Sequence, residues 1–435
     1  MNRRRWFTRL FKAARMSSSG GIVCESSGMS APPLRAELFS DEQMARHGKA
    51  LAHAHVIGEG DYGNPLLRRL DDNEWVLIGT CTMLTKAAAA RLRIAPAGEW
   101  LLDNLYLIEE QVRTARKHLP RNYSRELPWL AQGTLKGLPR VYDLALEVIS
   151  HGDGQVDADI LGGFVAAYQT VTPLTLGELW AIPIMLRLAL IENLRRVGAC
   201  ITAARLHLDQ ARAWADQMME VAERDPKSLA LPLTWVEQRL AETSQTIEHL
   251  VRAENQQLAS DQVSISNTIA SLRYLGAQDW RVFVEANSVV EQILFEDPAK
   301  CYQTMDFATR DRYRQVVDRL AKRSDLSEAE IARAAIGLAS AEPAGASDDA
   351  VKAHVGFYLI DQGIGQLEDL IKVRQPLLAG LRRRAENVAL PLYLSAIGLM
   401  TLVGTAGLLG LAAAGLLRWA AAGFENAGRG ALHAG

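Results

Sequence analysis

At 435 residues, with 49% hydrophobic and 23% charged side chains, the chain is long enough for two or three folded domains and too apolar to be a disordered one. Its 48 basic and 50 acidic residues leave a formal charge of -2, so no global field draws it to nucleic acid and no nucleic-acid partner is expected. Cys24, Cys81, Cys200 and Cys301 stand far apart, with no C-x-x-C pair and no histidine at zinc-ligand spacing, which excludes a disulfide framework and a cysteine-based metal site; they read as reduced, packed thiols.

The N-terminal segment 1–31 opens with Arg3, Arg4, Arg5, Arg9, Lys12 and Arg15 among Trp6, Phe7, Leu10 and Phe11. That spacing gives a short basic amphipathic helix, able to lie on an anionic membrane surface or to remain a solvated tail. It lacks the continuous apolar run of a secretion signal, and the Ser/Gly stretch after Met16 reads as flexible linker.

From residue 32 the pattern is helical and no βαβ unit can be drawn, so the fold class is all-α. A helical domain is expected over 32–225 and a second helical segment over 226–341, divided near Asp225-Pro226. Trp100, Leu101, Leu105, Ile108 and Val112 share a 3.6-residue period that ends near His118-Leu119, before Pro120. Another helix follows Pro139 as far as the turn His151-Gly-Asp-Gly154. Thr175-Leu-Gly-Glu178 fits a capping box, in which hydroxyl and carboxylate satisfy the first free amides of a long helix persisting to about Glu223, with a kink expected at Pro183. Further helices are expected near 235–257, 261–274, 279–296, 309–323, 327–341 and 347–372.

A linker and membrane-proximal helix at 342–386 leads to a stretch with no charge between Glu386 and Arg418. About 20 apolar residues cross a bilayer core, so one transmembrane helix is expected over 387–418, with a short tail at 419–435. Glycines at 398, 404, 407, 410 and 415 suit a membrane helix better than a soluble one. Arg382, Arg383 and Arg384 make the N-terminal flank the more basic, which places the body in the cytosol in single-pass topology.

Constellations with metal-binding potential are weak. His53 and His55 fall on different faces of a helix from each other, away from Asp61. The loop from His151 to Asp157 lacks the regular acids of a calcium loop. Asp157-Ala-Asp159 is a lone D-x-D before a predicted helix, better placed to cap it than to hold a cation.

Several strings go beyond periodicity: Pro33-Leu-Arg-Ala-Glu-Leu-Phe39, Leu67-Arg-Arg-Leu-Asp-Asp-Asn73, Glu99-Trp-Leu-Leu-Asp-Asn104 with Ile108-Glu-Glu-Gln111, and Tyr123-Ser-Arg-Glu-Leu-Pro128. They continue through Phe164 to Trp180, Pro183 to Arg196, Phe283-Val-Glu-Ala-Asn287, Met305 to Arg314 and His354-Val-Gly-Phe-Tyr-Leu-Ile-Asp361. Together, over roughly residues 33 to 400, this text resembles the N-terminal portion of the cyclic β-1,2-glucan synthases, large inner-membrane enzymes of Gram-negative bacteria. The resemblance implies a polypeptide that extends and cyclises a β-1,2-glucan from UDP-glucose, with a divalent metal on the diphosphate. The transferase and phosphorylase domains are not in this sequence: Arg418-Trp419 lacks the upstream glutamine of a Q-x-x-R-W acceptor motif. The chain is therefore expected to be a truncated or split gene product, inactive by itself and without a cofactor of its own. It would serve assembly, positioning or regulation of a separate transferase at the bacterial inner membrane, with the lipid bilayer as its first partner. The competing reading is a stand-alone membrane-tethered helical interaction protein.

Polar residues inside otherwise apolar helices are the candidate site: Glu109, Glu110, Glu178, Arg187, Glu192 and Asn193, with Asn104, Arg195 and Arg196 beside them. They read either as a polar groove that docks the transferase or binds glucan, or as interhelical ion pairs, with Glu192 in i,i+3 and i,i+4 reach of Arg195 and Arg196. Trp100, Tyr106, Tyr123, Trp129, Tyr142, Tyr168 and Trp180 could stack on sugar rings, and at helical spacing they equally serve a core.

Overall fold

The computed structural model describes residues 32–58, 65–119, 126–224, 234, 238–242, 245–341, 352–373 and 389–431, with side chains at 221–224, 389–392 and 416–431 excepted. The basic N-terminal tail, Asp61, Tyr123, Asp225-Pro226, the linker at 342–347 and Arg382, Arg383 and Arg384 lie outside the described residues.

The architecture is all-α, as expected, with one antiparallel ribbon of two short strands among the described residues. In chain order the helices are α1 (Asp41–Ala54), α2 (Pro65–Ala89), α3 (Pro96–Asp103), α4 (Leu105–His118), α5 (Arg140–His151), α6 (Ala158–Gln169), α7 (Leu176–Arg224), α8 (Ile247–Ala277), α9 (Trp280–Asn287), α10 (Val289–Leu294), α11 (Phe307–Ala321), α12 (Glu328–Ala341), α13 (Val355–Ile360), α14 (Ile364–Leu370) and α15 (Ala389–Ala431). Strand β1 (Ile57–Gly58) pairs with β2 (Trp129–Leu130), too short to leave an alternating pattern in the sequence.

Helix starts follow local chemistry. Ser40 and Gln43 close a capping box at α1, Asp157 accepts from the amides of Asp159 and Ile160 at α6, and the Thr175–Glu178 box opens α7 as the sequence predicts. α7 then runs on through Pro183. The expected helix from residue 100 to 119 breaks at Asn104, whose side chain donates to the Trp100 carbonyl and accepts from Arg273 on α8. The expected helix over 279–296 restarts at Ser288, whose hydroxyl caps Glu291. Where helices were expected at 235–257 and 261–274, α8 is continuous from 247 to 277.

Two groups of buried apolar side chains result. The larger runs from Leu34 to Val284 and is organised around the first half of α7, where Leu179, Met185, Leu186, Leu190, Ile191, Leu194 and Val197 are almost fully buried. The smaller joins α10 to α14 through Leu294, Tyr302, Val317, Ile331, Ala335, Val355 and Leu359. Close backbone approach explains two glycines. A Cβ on Gly48 of α1 would stand 2.8 Å from the Phe164 carbonyl oxygen of α6, and Gly154, at φ +80°, would put one 2.4 Å from the Thr268 hydroxyl of α8.

Within α15 the stretch Tyr393–Gly415, 23 residues long, is long and apolar enough to cross a membrane, and none of it is buried against the body. At about 1.5 Å per residue it spans the ~30 Å hydrocarbon layer. Thr401 and Thr405 donate their hydroxyl protons to the Ile397 and Thr401 carbonyls, so both threonines are satisfied within the helix. The helix continues to Ala431, through most of the segment read as a tail.

Candidate functional site

Of the six candidate residues, Glu178, Arg187, Glu192 and Asn193 are buried on α7, whereas Glu109 and Glu110 point to solvent from α4. Glu178 and Asn193 lie about 22 Å apart along the helix axis, so these groups cannot form one pocket. Each instead fastens a different element to α7.

Glu178 takes a bidentate ion pair from Arg140 of α5, at 2.5 and 2.7 Å, while its second oxygen also accepts from the Thr175 amide. A single residue thus caps α7 and joins it to α5. Burial acts to lower the Arg140 pKa, but the Glu178 hydrogen bonds and charge outweigh it and hold the guanidinium above its ordinary range. Nine residues on, Arg187 donates to the Gln111 amide oxygen of α4 at 2.7 Å. Burial pulls its pKa down, with no acid among the causes.

Glu192 gathers three guanidiniums on one oxygen: Arg195 at 2.8 Å, Arg196 at 3.0 Å and Arg69 of α2 at 3.3 Å. Burial alone would push this carboxyl up; the three positive charges win and hold it down at about 2. Asn193 accepts from the Leu34 amide and donates to Ser264 and Thr268 of α8. Segment 32–39 is therefore strapped down: Arg196 also reaches the Pro32 carbonyl, Arg35 pairs with Asp261 at 2.8 Å, and the Ala36 amide bonds to Ser150.

Glu178 and Glu192 thus stand in ion pairs, whereas Arg187 and Asn193 hold their neighbours by hydrogen bonds to neutral groups. A second buried network, which periodicity does not reveal, lies in the smaller core. Arg314, fully buried, meets Glu291 at 2.5 Å and Glu285 at 3.3 Å, and Tyr302 donates to Glu291 at 2.6 Å. Glu328 of α12 links the two cores, accepting from the Leu176 amide at the start of α7; burial pushes its carboxyl up to about 7.

Among the aromatic candidates, Trp129, Tyr142 and Tyr168 are buried, Trp180 is partly so, and Trp100 and Tyr106 are exposed. His53 is exposed and apart from His55, which bonds to Asp143 and Tyr168. Cys81 is buried, its thiol pushed up to about 11 by burial and by Glu109, while Cys301 is exposed. Among the described residues, one group has geometry that suits a metal ion: His47, Glu147 and His151, whose ligand atoms lie within 4.8 Å of one another. Sequence reasoning missed this group because His47 is 100 residues away from Glu147; the i,i+4 pair Glu147 and His151 was the available signal.

The molecule is thus a helical body pinned by buried charge, with an apolar helix of membrane-crossing length and a small histidine-carboxylate cluster. Over 360 residues it is 29% identical to cyclic beta-(1,2)-glucan synthase NdvB of Rhizobium meliloti (strain 1021). That match takes in 75% of this chain and 13% of NdvB, so the chain spans about an eighth of the length of its relative. No family model matches it. The similarity bears out the resemblance to the cyclic β-1,2-glucan synthases read from the residues.

Proposed function

We propose that the chain is a membrane-anchored helical module of a cyclic β-1,2-glucan synthase system, serving to assemble, position or regulate the transferase. The observation that carries this reading is the disproportion of the match: three quarters of the chain aligns with a glucan synthase, yet the alignment uses 13% of that enzyme. In support, the described residues are helical apart from one two-stranded ribbon. UDP-glucose and its divalent metal would bind a transferase domain outside this sequence.

In this reading the body faces the cytoplasm and α15 crosses the inner membrane once. The exposed Cys301 tests the orientation. In a variant that keeps only this cysteine, a membrane-impermeant maleimide should label inverted vesicles and spare intact spheroplasts; the opposite pattern reverses the topology. For the non-catalytic role, the purified chain is incubated with radiolabelled UDP-glucose. No glucan should form, and recovery of labelled β-1,2-glucan would refute the assignment. Arg187 supplies the docking test, because its charge is buried opposite a neutral amide. A folded Arg187→Glu chain that still co-purifies with its transferase would count against docking through α7.

A further inference from the structure

We propose that His47, Glu147 and His151 form a binding site for a divalent transition-metal ion of the zinc type. Two rigid helices present the donors. Glu147 and His151 stand one turn apart on one face of α5, and His47 faces them from α1. The Glu147 Oε2 lies 2.7 Å from His47 Nε2 and 3.4 Å from His151 Nε2.

The tautomer of His151 is fixed by its other nitrogen. Nδ1 sits 2.7 Å from the Glu37 carbonyl oxygen, which can only accept, so Nδ1 carries a hydrogen and Nε2 is the nitrogen left to ligate an ion at the cluster. This is the arrangement found behind metal-ligating histidines, whose outer nitrogen is anchored to a carbonyl or carboxylate. Phe39 stacks on the same ring with centroids 3.7 Å apart and planes 12° from parallel, which holds the lone pair on its bearing.

Size and ligand type select the ion. Bonds of about 2.0–2.1 Å in a tetrahedral shell place neighbouring donors about 3.3 Å apart. The Glu147–His151 separation already meets this; the His47 donor, 2.7 Å from Glu147 and within 4.8 Å of His151, must turn away from the carboxylate to complete the shell. As the ion enters, the hydrogen between His47 and Glu147 leaves as a proton, or moves to His47 Nδ1 if that nitrogen is bare. Two imidazoles and one carboxylate suit zinc and its neighbours, whereas calcium and magnesium take oxygen shells. His47 and Glu147 keep 26% and 29% of their side-chain surface, so the fourth position opens to water. A bound ion would lock the strap formed by residues 32–39 onto α5, since Glu37 and Phe39 already grip His151.

The full chain in detergent micelles is titrated with zinc and, as a spectroscopic probe, with cobalt(II). One equivalent should bind at this site, be removed by EDTA, give the visible absorption of nitrogen- and oxygen-ligated cobalt, and raise the melting temperature. Glu147→Gln, which keeps the shape, should weaken binding by about tenfold or more. His47→Ala with His151→Ala should abolish the zinc-dependent rise, and His53→Ala, on the same helix but exposed, should leave it intact. The proposal is overturned if the unaltered chain fails to take up one equivalent, or if the double variant binds and is stabilised as the unaltered chain is.

Discussion

Replacing Glu192 by glutamine keeps the side-chain volume and removes the one negative charge on which Arg69, Arg195 and Arg196 converge. The cost can be worked from two directions. A carboxyl held at about 2 instead of its ordinary 4.5 favours the ionised native state by about 3 kcal/mol, at ~1.4 kcal/mol per tenfold change in proton affinity. Breaking a buried ion pair by removing one partner costs about 3–5 kcal/mol, because the other charge is left buried and unpaired. The two overlap at about 3 kcal/mol, a large share of the ~5–15 kcal/mol that holds a domain folded. The pH dependence supplies a second readout. Between 4.5 and about 2 the unfolded chain binds a proton that the native carboxylate refuses, so the unaltered protein gains this stability as pH rises and holds it fully above 4.5. Urea unfolding followed by helical circular dichroism in micelles should show Glu192→Gln about 3 kcal/mol less stable at pH 7 and lacking that acid slope. Glu109→Gln, on the exposed face of α4, should stay within about 0.5 kcal/mol. A Glu192→Gln chain as stable as the original at pH 7, or one that keeps the slope, would refute the assignment of α7's anchorage to this charge.

Glu328 carries the opposite sign. With its carboxyl pushed up to about 7, the native state keeps a proton that the unfolded chain has released above 4.5, so stability should fall by about 3 kcal/mol as pH rises across that window. Glu328→Gln should flatten the fall and exceed the unaltered protein at pH 8, as read by urea midpoints. Arg140→Leu alone should destabilise by about 3–5 kcal/mol by stranding Glu178, whereas adding Glu178→Leu should recover part of the loss, as a double-mutant cycle would record. Gly154→Ala forces both a positive φ and a contact with Thr268, and should lower the melting temperature at a cost of about 1–3 kcal/mol, with Gly162→Ala, which meets nothing, as the neutral comparison.

Helices with strong local signals were legible in the sequence. The Thr175–Glu178 box and the Asp157 cap are statements about neighbours three residues apart, and both appear where read. Breaks set by distant partners were not legible. Nothing near Asn104 announces that Arg273, 169 residues later, will donate to its side-chain oxygen. The same limit hid the histidine-carboxylate cluster, and it hid which arginine would meet Glu178. Charge alternating with apolar residues on α7 identified the buried polar set but not its role, because a groove and a staple share one composition. Only the positions of Arg140, Arg69 and Ser264 distinguish them.

α7 is stapled along its first half, and from His207 to Glu220 every described residue faces solvent, Trp214, Met218 and Met219 included. The 49 residues form one unbroken helix, about 74 Å long. A continuous helix couples its two ends, so a ligand that gripped the free end would act on the same element to which the strap, α2, α5 and α8 are fastened.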